Sequence, residues 1–185
     1  DPFKIVKPMS RKAALWQNCT NIPVYYSYPK NLPASYVAAI RLAIDSSVGT
    51  LRELTGLSLR AQRVPMESPS TQGSILIQWV ESSERLDHND IGNTRMFSIG
   101  DPAYITRAVI TLPLMILEEF EIGWAAGFGD TVSSVVVHEL GHAVGLGHSS
   151  ERSSIMSTSH QADTYITPVD RVIFAHSGTN PCLEQ

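Results

Sequence analysis

Five residues in the C-terminal half carry the chemistry of this sequence. They lie in His138-Glu139-Leu140-Gly141-His142-Ala143-Val144-Gly145-Leu146-Gly147-His148. His138 and His142 are four apart, so on a helix they share one face, one turn above the other, and can share a metal ion. Zinc accepts imidazole nitrogens and, in catalytic sites, keeps one position open for water. His148 can join them only if the helix stops and the chain turns back. Gly145 sits where that reversal is needed, and glycine takes the left-handed conformation freely. Glu139 follows a ligand but is rotated about 100° around the helix axis. It flanks the metal rather than binding it, which is the place for a general base. The bland alternative is a core helix with satisfied histidines. With 6 His and 12 Gly in 185 residues, a chance match to all five positions is rare, and the metal reading prevails.

The remaining elements must hold that segment. Asp1 to Leu15 reads as an irregular arm with two prolines. Alternation predicts a first strand over Ile22–Tyr28, ended by Pro29 and Pro33. Apolar residues then recur as Val37, Ile40, Ile44, Val48, Leu51 and Leu54, predicting a helix over Ser35–Leu54 that Gly56 closes. Strands are expected over Leu57–Val64, Gly73–Val80, Thr94–Ile99 and Ile105–Leu112, the last two separated by Gly100-Asp101-Pro102. Asp130-Thr131 is placed to cap a long helix over Val132–Val144, broken by Gly145. A final helix begins at Thr167-Pro168-Val169-Asp170, where threonine caps and proline is tolerated in the first turn. The expected fold class is mixed α+β: one domain over residues 16–185, a sheet with a backing helix, then a helical half bearing the site.

Composition sets the outer limits. The chain is 43% hydrophobic and 17% charged, which excludes intrinsic disorder. Its 14 Lys+Arg against 18 Asp+Glu give a formal net charge of -4, with no basic face for nucleic acid or an anionic membrane. The longest apolar stretch, Ile110 to Leu117, is too short to span a membrane and is broken by Pro113. A monomer is expected.

Two cysteines, Cys19 and Cys182, sit near opposite ends of the chain. Either they are free thiols, or one disulfide closes nearly the whole chain into a loop. Low Lys content, many Ser and Thr, and a start at Asp1-Pro2 favour a processed, exported product and hence the pairing. In the chain-entropy treatment such a loop is worth about 4–5 kcal/mol. Asn18-Cys19-Thr20 also fits the pattern of a glycosylation acceptor.

These residues together resemble the metzincin metalloendopeptidases, and within them the matrixin group. HELGHAVGLGH is similar to their long zinc-binding motif. The residue after the third histidine is Ser149, the matrixin-like choice, and Ser154-Ile155-Met156-Ser157 is similar to their Met-turn at matrixin spacing. The order strand, helix, strand, strand, edge strand, strand is similar to their N-terminal half, so the likeness spans roughly Trp16 to Gly178. It implies a zincin/metzincin-like fold: a twisted, mostly parallel sheet with an antiparallel edge strand, a backing helix, an active-site helix and a C-terminal helix. It also implies one catalytic Zn2+ on His138, His142 and His148, with Met156 as the apolar floor beneath it. Met156 as a plain core filler is the same thing in different words.

Several departures from the family bear on detail. His88 and Asp90 stand where matrixins with a structural zinc begin their ligand set, but Arg107 to Leu112 offers no histidine partner. The Asp87-His88-Asn89-Asp90 loop has the oxygen donors Ca2+ needs, although a solvated acidic loop is the preferred reading. Ser157-Thr158 replaces the aromatic and proline usual after the Met-turn in animal matrixins. Tyr165 lies too far along to serve as an extra zinc ligand. The latency motif is absent; a zinc-blocking Cys19 thiolate is the lesser alternative to pairing with Cys182.

The resemblance implies a secreted endopeptidase acting on protein or peptide substrates, with Glu139 accepting a proton from zinc-activated water. The substrate would lie extended and antiparallel to an edge strand drawn from Asn93 to Ser98. A plain edge with Arg95 as a solubilising charge is the competing view of that strand. Residues 157–167 would wall the pocket after the scissile bond, with His160 and Tyr165 as candidate contacts. The alternative function is a catalytically silent zinc-binding module of the same fold, acting in binding or inhibition. A zinc hydrolase for a non-peptide bond is the third possibility, disfavoured by the Met-turn pattern.

Overall fold

The structure is a computed structural model and describes residues 14–17, 21–81, 91–100, 103–119, 132–158 and 166–179. Strand β1 (Ile22–Ser27) alternates buried and half-buried residues along most of its length. It pairs in parallel with β2 (Leu59–Arg63) on one side and β3 (Ser74–Val80) on the other. Strand β5 (Tyr104–Pro113) continues in parallel beside β3, and β4 (Asn93–Ile99) closes the sheet antiparallel to β5. The spatial order is β2-β1-β3-β5-β4, so among the described residues β4 is an edge strand. Strand β3 is buried nearly throughout, as an interior parallel strand covered on both faces must be.

Parallel neighbours need a long crossover, and helix α1 (Ala34–Thr55) supplies the one between β1 and β2. Its buried stripe includes Ile40, Ala43, Ile44, Ser47, Val48 and Leu51. Gly56 ends it at φ 72°, its N–H donating to the carbonyl of Arg52 at 2.9 Å. Only glycine takes that left-handed backbone without cost. The N–H of Leu57 is used by the Thr55 hydroxyl at 3.1 Å, so the β2 ladder starts at Leu59 rather than at the expected Leu57. A one-turn helix, α2 (Ile116–Glu119), follows β5 and was not expected from the pattern.

Helix α3 (Val132–Ala143) packs against α1 on one side and against β4 and β5 on the other. All of its residues except His142 are buried, which is why its sequence is apolar nearly all round. It ends one residue before the predicted Val144, in a paired cap. The N–H of Gly145 donates to His142 O at 2.9 Å and that of Leu146 to Gly141 O at 3.0 Å, with Gly145 at φ 100°. The proposed cap residues Asp130 and Thr131 lie outside the described residues.

The arm expected to end at Leu15 is packed at its end. Leu15 is buried and its carbonyl accepts from the Ile105 N–H at 3.0 Å. Trp16 is also buried, and its indole N–H donates to Ala143 O at 2.8 Å, satisfying a carbonyl at the end of α3. No described helix is long and apolar enough to cross a membrane.

Helix α4 (Pro168–Ser177) begins as expected, with Thr167 as cap and Pro168 in its first turn. Its third residue, Asp170, completes a reciprocal capping box and does more. Fully buried, its carboxylate accepts from Thr167 N at 2.8 Å, Thr167 Oγ1 at 2.9 Å, Ile155 N at 3.2 Å and Ser154 Oγ at 2.5 Å. One side chain thereby ties α4 to the turn containing Met156. Asp170→Asn puts an amide NH2 against some of these donors. We expect it to lower unfolding free energy by about 3 kcal/mol. Urea unfolding checks this, and a change within about 0.5 kcal/mol of parent contradicts the assignment.

Candidate metal centre

His138 and His142 project from one face of α3, and the Gly145 reversal returns the chain so that His148 meets them. Nε2 of His142 lies 3.1 Å from Nε2 of His138 and 3.2 Å from Nε2 of His148. The three rings crowd together, with centroids 4.6–5.4 Å apart. Among the described residues these three form a cluster able to hold a metal ion.

Tautomers follow from the second nitrogens. Nδ1 of His138 is 2.8 Å from the Ile155 carbonyl, and Nδ1 of His142 is 2.8 Å from the Leu146 carbonyl. A carbonyl oxygen only accepts, so each Nδ1 carries its proton and donates. In a neutral ring Nε2 is then the lone-pair nitrogen. Lone pairs facing one another at 3.1 Å repel unless a cation lies between them. Zn–N bonds of about 2.05 Å in a tetrahedron require nitrogens about 3.3 Å apart. The donor set fits zinc: three imidazole nitrogens at nearly that spacing, two of them on rings with the carbonyl partners that fix a metal-ligating histidine.

Burial pushes the pKa of His142 below its ordinary 6.5; its bond to the Leu146 carbonyl opposes the shift and the neighbouring His148 adds to it. The ring is therefore held in the neutral form a metal needs.

Met156 is buried. It packs so closely on α3 that a Cβ added at Gly141 would overlap its Sδ and reach Phe174. The turn is drawn in by Ser149 N–H donating to Met156 O at 2.7 Å and by Asp170 holding Ile155. Since Ile155 O receives the His138 proton, Met156 and the orientation of a ligand are set by one turn.

Glu139 is buried, one residue beyond His138 and outside the nitrogen cluster. The Thr94 hydroxyl of β4 lies 2.5 Å from its Oε2 and 3.1 Å from its backbone carbonyl. Sequence pattern did not single out Thr94, Asp170 or Gly92. Asp170 had a detectable signal, three residues after a Thr cap; the other two had none. Of the remaining candidates, Arg95 is exposed on β4. Cys19, Cys182, His88, Asp90, His160 and Tyr165 lie outside the described residues.

A mostly parallel sheet with an antiparallel edge strand, an active-site helix and a three-histidine cluster closed by a Met-containing turn define a metzincin-type zinc metallopeptidase domain. Comparison with known families carries this further. The matrixin family model matches residues 69–171, more than half of the chain, and the chain belongs to the matrixin family. No individual curated protein matches it.

Two outcomes follow. Alanine in a helix interior normally gains about 1 kcal/mol over glycine, but at Gly141 the overlap with Met156 should cost about 1–3 kcal/mol. Gly141→Ala should therefore lower both the unfolding midpoint and zinc affinity; a stabilised variant contradicts the packing described. For His142, a folded-state pKa below 6.5 means the unfolded chain takes up the proton first as pH falls. Its contribution to zinc-free stability is present above the unfolded value and lost on acidification. Between about pH 7.5 and about pH 5.5, zinc-free parent should lose more stability than His142→Gln. Equal losses contradict the assignment.

Proposed function

We propose that this chain is a secreted zinc-dependent endopeptidase that hydrolyses peptide bonds in extended protein segments, with His138, His142 and His148 holding the zinc and Glu139 as general base. The observation that carries the proposal is the position of Glu139. It follows the ligand His138 on α3, and its carboxylate accepts a hydrogen bond from Thr94 of the edge strand β4. A base on this residue adjoins a metal ligand in sequence and is tied to the strand along which we propose the peptide lies.

Strand β4 leaves Met96, Phe97 and Ile99 exposed. An uncovered edge with large apolar side chains is a hazard unless a partner strand uses it. An extended substrate pairing antiparallel with Asn93–Ser98 is that partner, its register fixed by main-chain bonds. When bound, zinc supplies Lewis acidity that acidifies water and polarises the scissile carbonyl. Glu139 accepts a proton from the attacking water on a carboxylate oxygen and returns it to the departing amine. Residues 157–167, with His160 and Tyr165, are proposed to wall the pocket beyond the scissile bond.

Export is supported by composition, and the Cys19–Cys182 pairing we propose follows from it. The protein acts as a monomer on protein or peptide substrates, with no role for nucleic acid or membrane. Ca2+ at Asp87–Asp90 is no part of the mechanism.

Glu139→Gln should retain one zinc per chain while losing about 10²–10⁴-fold in peptide hydrolysis, measured on a quenched-fluorescent peptide library. Chelation should abolish parental cleavage, and added zinc should restore it. Full activity in Glu139→Gln sinks the assigned role. A zinc-loaded parent that cleaves nothing in the library points instead to the silent binding module.

A further inference from the structure

We infer that Thr94 is a positioning residue for Glu139, and that Gly92 is required beside it to leave space for the carboxylate. This rests on the proposed role of Glu139 as general base. Three observations support it. Thr94 Oγ1 lies 2.5 Å from Glu139 Oε2, the short contact expected of a hydroxyl donating to a carboxylate. The hydroxyl also lies 3.1 Å from the Glu139 carbonyl, so it is held against one residue at two points. On the other side, a Cβ built on Gly92 would come 2.6 Å from Glu139 Oε1 and 2.8 Å from its Cδ and Cγ. Gly92 is not among the glycines with positive φ, so its backbone does not demand glycine. Space for the carboxylate does.

The two contacts divide the carboxylate between them. Thr94 holds Oε2, and Oε1 occupies the space that a Cβ on residue 92 would need. The Thr94 bond restrains the last torsion of the carboxylate, which is otherwise soft in glutamate. Both gripping residues flank Asn93, at the start of the edge strand that we propose pairs with substrate. The base is thus registered against the strand that sets the position of the scissile bond, not only against the metal ligand that precedes it. Misplacing a reacting group by about 1 Å costs on the order of 100-fold in rate, so this registration bears directly on turnover. It should leave main-chain pairing with the substrate untouched.

Thr94→Val keeps the shape and the β preference of the residue but removes the hydroxyl; Thr94→Ser keeps the hydroxyl. In zinc-loaded protein, Thr94→Val should lower kcat by about 10–100-fold with KM unchanged, and Thr94→Ser should recover most of the loss. Gly92→Ala should lower kcat comparably with zinc content intact. In a Glu139→Gln background, where there is no carboxylate to orient, the effect of Thr94→Val should largely vanish. A second readout needs no activity. In zinc-free protein, the infrared difference between parent and Glu139→Gln isolates the Glu139 carboxylate stretch. Thr94→Val should shift that band and Thr94→Ser should not.

Parental kcat in Thr94→Val, an undiminished effect in the Glu139→Gln background, or an unshifted carboxylate band would each overturn the inference. A Glu139→Gln enzyme as active as parent defeats the base assignment itself, a separate result.

Discussion

Two main-chain carbonyls, those of Ile155 and Leu146, decide which nitrogens of His138 and His142 carry protons, and the rest of the centre depends on that choice. With each Nδ1 donating at 2.8 Å, the Nε2 lone pairs of these two rings turn toward one another and toward His148. Neutral nitrogens crowded in this way are electrostatically unfavourable without a cation. Each carbonyl is itself presented by a turn: Leu146 by the reversal at Gly145, Ile155 by the segment that Asp170 ties to α4. Ligand orientation is therefore a product of backbone geometry at two successive turns, around Leu146 and Ile155.

Close approach is the second constraint. Helix α3 is buried on nearly every side, so its polar residues must be satisfied within the protein. Small residues make this possible at the points of tightest contact. Gly141 admits Met156 against the helix, and Gly92 admits the Glu139 carboxylate against the edge strand. The site is assembled where a helix, a sheet edge and a turn meet with no spare volume. Among the described residues, His148 is exposed and β4 is an edge strand.

Much of this was legible in the residues, for reasons that can be stated. Helix α1 was expected over Ser35–Leu54 and spans Ala34–Thr55, because its apolar stripe repeats over many turns and a glycine marks its end. Strand β3 was expected over Gly73–Val80 and spans Ser74–Val80, its buried run bounded by a turn. The histidine spacing was readable because helix periodicity alone brings His138 and His142 together, and one glycine suffices to return His148. Other features left no periodic trace. The bond from Thr94 to Glu139 spans 45 residues and that from Trp16 to Ala143 spans 127. Such contacts arise only when the sheet order β2-β1-β3-β5-β4 brings the segments together. The need for glycine at positions 92 and 141 is likewise set by a neighbour's side chain, not by local backbone conformation. The start of β2 was misread because Leu57, though buried, is used to finish α1.

The central claim is a zinc ion held by three imidazole nitrogens and by no sulfur. Zinc K-edge X-ray absorption of the loaded protein in solution tests it most directly. The expected result is one zinc per chain with three imidazole nitrogens at about 2.0–2.1 Å and a further light-atom ligand. A sulfur scatterer near 2.3 Å, as a bound Cys19 or Cys182 thiolate would give, or fewer than three imidazoles, would contradict it.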